Sequence, residues 1–363
     1  MTTSPDWYRP LGRTGVRVSP LTLGAMNFGA TFNPDHAEAE RVIAAALDAG
    51  INIIDTADVY SQGESEEIVG RAIKGKRDDI VLASKFHGQI GTEVNQRGNS
   101  RRWITASVEA SLRRLDTDHL DLLQVHRPDP DTDIDDTLGA LSDLVRAGKI
   151  RYYGTTTFEP HQVLEAQYVA RARGYVVPST EQPPYSILAR GVERGLLPVA
   201  QQFGLGTLTW SPLAGGWLSG RWRRGETVQT SARAERNAPR HDQELPANRL
   251  KREAAEQLLD LADAAGIGLV DLSLAFVLQH PGVTSVIIGP RTLDQLTSQL
   301  GAPSIMLDDD LLDAIDAIVP PGVTLNPADA GYAPPSITDA SARRRVVPAG
   351  TATVGTGIST AAR

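Results

Sequence analysis

Four side chains in the first half of the chain have the types and order for proton transfer to oxygen: Asp55, Tyr60, Lys85 and His126. Lys85 lies inside the apolar run Ile80–Phe86, where an ammonium is costly unless it is paired. Reducing a carbonyl needs a hydride on carbon and a proton on oxygen. A tyrosine can deliver that proton once its pKa, about 10 in water, is brought toward neutrality. A neighbouring ammonium favours the phenolate and would do this. Asp55 would keep Lys85 charged, and His126 could donate a hydrogen bond to the carbonyl oxygen. Plainer readings stay open: an ion pair that only braces the core, a loop-capping aspartate, a packing tyrosine, a satisfied core histidine. Lys85 could also serve as an amine nucleophile in a Schiff-base enzyme, provided it were neutral.

Such groups need a scaffold that brings distant segments to one place. Short apolar runs alternate with amphipathic segments through most of the chain. A hairpin is expected at Tyr8–Leu11 and Val16–Ser19, then strands at 21–26, 52–57, 79–86, 119–126, 152–157, 178–183, 206–211 and 284–289. Helices are expected at 34–49, with Asn33-Pro34 as N-cap and N1, and at 65–74, 100–115, 133–147, 160–173, 190–203, 249–264 and 292–300. In segment 100–115, Ile104, Val108, Leu112 and Leu115 form one stripe. Eight strand–helix units predict an α/β (β/α)₈ TIM barrel, preceded by the hairpin, with extra helices at 269–279 and 308–318. An open doubly wound sheet is disfavoured because no G-x-G-x-x-G occurs. Catalytic groups in such barrels sit at the C-terminal strand ends, where all four candidates fall.

Composition narrows the class further. Hydrophobic residues make up 41% and charged residues 22%, enough for a packed core. A formal net charge of −8 argues against nucleic acid. The chain has no cysteine, which removes thiol nucleophiles and Cys-ligated metal. No apolar leader or long apolar run appears, so a cytoplasmic protein that does not span a membrane is expected. One domain is expected over 1–345, with 346–363 a disordered tail. Segment 214–248, rich in Gly, Pro and Arg, breaks the rhythm and is expected to be either functional or disordered, with loop 221–241 able to close over a substrate pocket.

The motifs Asp55-Thr56-Ala57-Asp58-Val59-Tyr60, Ala83-Ser84-Lys85-Phe86 and Gln124-Val125-His126-Arg127, with ASVEASLRRLDTDHLDL at 106–122, resemble the aldo-keto reductase superfamily, in its bacterial, actinobacterial type. The resemblance spans roughly residues 8–320. It implies Tyr60 as general acid, Lys85 and Asp55 as its tuning pair, and His126 as substrate-orienting donor. It also implies a nicotinamide site, with NADPH (NADP+) as cofactor and NADH as a second choice. Gly24 and Met26 resemble the segment beneath the nicotinamide, and Thr156, Thr157 and Gln182 stand where relatives hold the carboxamide. Relatives carry Asn at the position of Thr157. Trp210 offers a stacking face, followed by Ser211, Leu213, Gly215, Leu218, Gly220 and Arg221 in a loop that could approach a pyrophosphate. Gly289, Arg291, Gln295 and Gln299 resemble the adenosine side, although Thr292…Gln295 also fits a capping box. Phe28, His87, Trp217 and Trp222 are pocket candidates for a small carbonyl substrate, an aldehyde, ketone or nucleotide-linked sugar. A looser likeness to actinobacterial deoxysugar reductases underlies the last. A non-catalytic nicotinamide-binding module is a further alternative, and homo-oligomerisation is left open.

Overall fold

The computed structural model describes residues 7–222 and 237–345. The expected closure of loop 221–241 over the pocket falls largely on residues outside this set, as does the expected tail 346–363. Two compact units are present, one ending at Gly331 and one beginning at Tyr332. In the second, the described residues form a short helix, Pro335–Thr338, and a 3₁₀ turn, Ala340–Ala342.

The first unit is an eight-stranded parallel barrel. A hairpin of β1 (Arg9–Pro10) and β2 (Arg17–Val18) precedes it. The barrel strands are β3 (Leu21–Gly24), β4 (Ile53–Asp55), β5 (Val81–Phe86), β6 (Leu120–Val125), β7 (Ile150–Thr156), β8 (Thr180–Gln182), β9 (Gly206–Thr209) and β10 (Ser285–Ile288). They close in the order β10-β3-β4-β5-β6-β7-β8-β9. The expected (β/α)₈ fold with its hairpin is therefore the observed one.

Helices cover the barrel from outside. They are α1 (His36–Asp48), α2 (Glu64–Ala72), α3 (Arg101–Leu115), α4 (Ile134–Arg146), α5 (Pro160–Arg173) and α6 (Leu196–Phe203), followed by Pro246–Ala265, Leu269–Gln279, Leu293–Thr297 and Asp309–Ile318. In α3 the buried face holds Ile104, Val108, Leu112 and Leu115, the stripe read from the sequence, and the Ser100 side chain caps the Trp103 amide. Among the described residues no single helix is long and apolar enough to cross a membrane.

Three boundaries differ from expectation. Helix α1 is capped by Asp35, whose side chain accepts from the Glu38 amide. Asn33 instead bridges to the loop after the neighbouring strand β10, donating from Nδ2 to the Arg291 carbonyl at 3.0 Å. The helix expected at 190–203 is a 3₁₀ turn, Gly191–Arg194, and then α6, broken at non-helical Gly195. There Arg190 is pinned to Glu193, Asp316 and the Val319 carbonyl, at 2.8, 2.6 and 2.7 Å, and these contacts outweigh helical continuity. The helix expected at 292–300 ends at Thr297.

Two apolar layers hold the barrel. The larger lies between strands and helices. The smaller fills the barrel itself: Leu11 and Val18 of the hairpin segment pack against Ile53, Ala83, Leu122, Leu208 and Ile287. Side chains alternate along a strand, so the residue two places on shares its face. Two residues beyond that plug stand Asp55, Lys85, Gln124, Trp210 and Gly289. The apolar floor thus sets the height of a polar layer at the C-terminal mouth.

Candidate active site

Asp55 ends β4 and Lys85 lies on the adjacent strand, β5. The Lys85 ammonium donates to Asp55 Oδ2 at 2.6 Å, to the Thr56 carbonyl at 2.9 Å and to the Tyr60 hydroxyl at 3.2 Å. An ammonium has three hydrogens, and all three are spent. Burial by itself would lower the Lys85 pKa, but the Asp55 carboxylate and Tyr60 outweigh it and raise the value above the ordinary one. The lysine is a fixed cation.

The other Asp55 oxygen, Oδ1, accepts from Gln124 Nε2 at 3.1 Å and from Gln182 Nε2 at 3.0 Å. Asp55 is 2% exposed, and both oxygens of its carboxylate meet donors, which offset the cost of its burial.

Tyr60 is delivered by an unusual turn. Ser61, Gln62 and Gly63 follow it with φ of 48°, 57° and 97°, three successive left-handed residues. Two of them pay a steric cost, a mark of backbone held for function. The Ser61 hydroxyl donates to the Phe28 carbonyl at 3.2 Å and anchors the turn to the β3 loop. The Tyr60 oxygen accepts from Lys85, which leaves its own hydrogen free to be donated.

His126, just past β6, meets Tyr60 edge-on with ring centroids 5.9 Å apart. Its ring nitrogens have no hydrogen-bond partner among the described residues, and the ring is partly exposed. Burial first, then the charges of Lys85 and Arg127, hold its pKa well below the usual imidazole value. It is a neutral N–H donor at physiological pH. The four expected residues are therefore brought together.

Gln182, at the end of β8, also donates to Gln124 Oε1 at 3.2 Å. Its amide nitrogen is committed to two acceptors, and its carbonyl oxygen accepts no hydrogen bond among the described residues. That oxygen suits a primary carboxamide, which needs an acceptor for its N–H. The partly exposed Trp210 gives a flat face nearby. Ser211, Ala214, Gly215 and Gly216 follow in the left-handed region, and the chain turns tightly beneath the mouth. These features fit a nicotinamide ring with its carboxamide. Among the described residues no group of His, Asp and Glu could hold a metal ion.

The remaining expected residues divide. Gly24 is buried on β3, Met26 is half-buried after it, and Leu213 and Gly220 line the turn half-exposed. The Thr156 hydroxyl donates to the His126 carbonyl at 2.6 Å, so it is partly engaged within the protein. Arg221 and Arg291 are exposed and make no ion pair among the described residues. The Thr292 hydroxyl caps the helix by accepting from the Gln295 backbone amide, but the reciprocal half of the expected capping box is displaced by one residue: Gln295 Oε1 accepts from the Arg291 amide at 2.9 Å, not from that of Thr292. Gln299 is buried and donates to the Gln295 carbonyl. Phe28, Leu218 and Trp217 are fully buried and support the walls from behind. Trp217 stacks on half-buried Trp222 at 4.2 Å. His87 is half-buried and held by Asn99 Oδ1 at 2.9 Å.

Sequence reading missed three participants. Gln124 stands two residues before His126 on β6, a same-face relation that alternation could have revealed. Arg127 was quoted in a motif but given no task. Arg240 lies 5.8 Å from the Trp210 ring and pairs with Asp329 at 2.6 Å, a contact across 89 residues with no local signal.

The family model of the aldo/keto reductase family matches residues 20–320. An uncharacterized oxidoreductase, YrpG, of Bacillus subtilis (strain 168) is 38% identical over 324 residues, covering 86% of this chain and 96% of its own. A "probable voltage-gated potassium channel subunit beta" of Oryza sativa subsp. japonica is 36% identical over 321 residues, with the same coverage. One of the same description from Arabidopsis thaliana is 35% identical over 320 residues, again covering 86% and 96%. The chain belongs to the aldo/keto reductase family and is an NAD(P)H-dependent oxidoreductase.

Proposed function

We propose that this protein reduces an aldehyde or ketone to the alcohol in the cytoplasm, with NADPH as hydride source and Tyr60 as proton donor. The observation that carries the reading is the Lys85 ammonium, whose donors are shared among Asp55, the Thr56 carbonyl and Tyr60. Reduced nicotinamide, when bound, supplies the hydride. Gln182, Trp210, Thr156 and the 211–221 turn would hold its ring end, and Arg291 would meet the adenosine phosphate. Tyr60 gives its free hydrogen to the carbonyl oxygen, and the ammonium beside it stabilises the charge left on the phenol oxygen. His126 offers a neutral N–H to the same carbonyl, which orients it without competing as an acid. The spent and charged amine counts against Schiff-base chemistry at Lys85.

Replacing Tyr60 by Phe should leave cofactor affinity nearly unchanged and cut carbonyl turnover by at least ~10²-fold. Single-turnover loss of reduced-nicotinamide absorbance, with affinity from tryptophan quenching, measures both. A variant that kept more than about a tenth of wild-type turnover would remove Tyr60 from the role. A second reading, a nicotinamide-binding module without turnover, draws on the descriptions of the rice and Arabidopsis relatives. It expects cofactor binding with no oxidation by any carbonyl in a broad panel.

A further inference from the structure

Arg127 stands at the barrel mouth beside His126, and the proton transfer gives it no task. All its hydrogen bonds leave from one nitrogen. Nη1 donates to the His126 carbonyl at 2.5 Å and to the hydroxyls of Thr156 and Thr157, each at 3.2 Å. Nε and Nη2, with three N–H donors between them, have no acceptor among the described residues. Neither is sealed off from solvent. The guanidinium lies 5.9 Å from the Trp210 ring, and no carboxylate pairs with it among the described residues. Arg240, at 5.8 Å from the same indole, is engaged by Asp329 at 2.6 Å, a carboxylate that it shares with Lys251 at 2.7 Å. Arg127 thus brings to Trp210 a charge that no carboxylate among the described residues meets, and its free edge presents two parallel N–H groups, the arrangement that grips a carboxylate side-on.

We propose that Arg127 is a specificity-determining residue that binds a carboxylate on the substrate, so that the preferred substrates are oxo acids or semialdehydes. The inference rests on the carbonyl-reduction reading for its consequence in turnover, but the anion subsite can be measured without turnover.

Calorimetric titration of butanoate and butanamide into the NADP+-loaded protein isolates the charge, because the two differ little in shape. Butanoate should bind wild type at least about tenfold more tightly, the scale of one charge-assisted pair. Arg127→Met should erase that preference, and Arg127→Lys, which keeps charge but loses the fork, should retain part of it. In turnover, the ratio of kcat/KM for 4-oxobutanoate over butanal should fall toward unity in Arg127→Met. An equal affinity of wild type for butanoate and butanamide would overturn the proposal. So would an Arg127→Met protein that keeps the carboxylate preference but loses NADP+ affinity, which would move Arg127 to the carboxamide. Preferential butanoate binding with neither aldehyde reduced would uphold the subsite and sink carbonyl reduction.

Discussion

Asp55 and Glu181 are both closed off from solvent, yet opposite means hold them. Asp55 receives an ammonium and two amides. Glu181, on β8, accepts from the Thr155 hydroxyl and the Phe158 amide and meets no cation at bonding distance among the described residues. Burial pushes its pKa up from 4.5 to about 7. The folded chain therefore keeps a proton that the unfolded chain releases from about pH 4.5 upward. This contribution is complete below the unfolded value and is lost as pH rises to about 7, at up to ~1.4 kcal/mol per pH unit. Glu181→Gln should remove that part of the slope, so the variant gains on wild type between pH 5 and 8. Denaturant melts across that range measure it, and parallel curves would show that Glu181 is ionised throughout. Asp58, raised to about 7 by its own burial, should leave a residual slope in both proteins.

At the scale of strands and helices, most of the scaffold was legible because its signals are local. The α3 stripe and the period-2 placement of Ile53 with Asp55 or Ala83 with Lys85 need only neighbouring residues. Contacts across the chain were not legible. The split at Gly195 depends on Arg190 reaching Asp316, and the displaced α1 cap depends on Asn33 reaching Arg291. The four candidate positions could be read from residue type and order, but not the hydrogen bonds that fix Gln124 and Gln182 on Asp55. The end of β7 shows a local cost. Thr157 has φ of 59°, a left-handed conformation that a β-branched residue adopts only under strain. Asparagine tolerates that region and can still accept from Arg127. Thr157→Asn should therefore stabilise the fold by up to about 1 kcal/mol. A lower thermal midpoint in the variant would mean that the threonine's packing outweighs its strain.

The molecule as a whole carries a net charge of −8, so its field disfavours anions except where local cations oppose it. Arg291 is such a place: exposed, without an ion pair among the described residues, and fixed at its backbone by Asn33 and Gln295. The Gln295 side-chain oxygen is taken by the Arg291 amide, so under the proposed use of NADPH the guanidinium of Arg291 would be the main reader of the 2′-phosphate. NADPH should bind more tightly than NADH by roughly ten- to a hundredfold, the range for one charged contact. Arg291→Ala should weaken NADPH by about that factor and NADH by less than about twofold. Equal losses for the two, from fluorescence titrations, would show that Arg291 does not discriminate between them.

The Asp55 carboxylate draws donors from β5, β6 and β8, and it sits on β4 itself. A seam between β6 and β7 would leave Asp55, Lys85 and Gln124 on one half-barrel and Gln182 on the other. Any chimera that joins halves from two relatives must therefore inherit a glutamine whose nitrogen faces Asp55 and whose oxygen stays open. Under the proposed function, a mismatch there would cost Asp55 a donor and the nicotinamide carboxamide its acceptor at once. Recombination at that seam is thus constrained by two functions through a single amide.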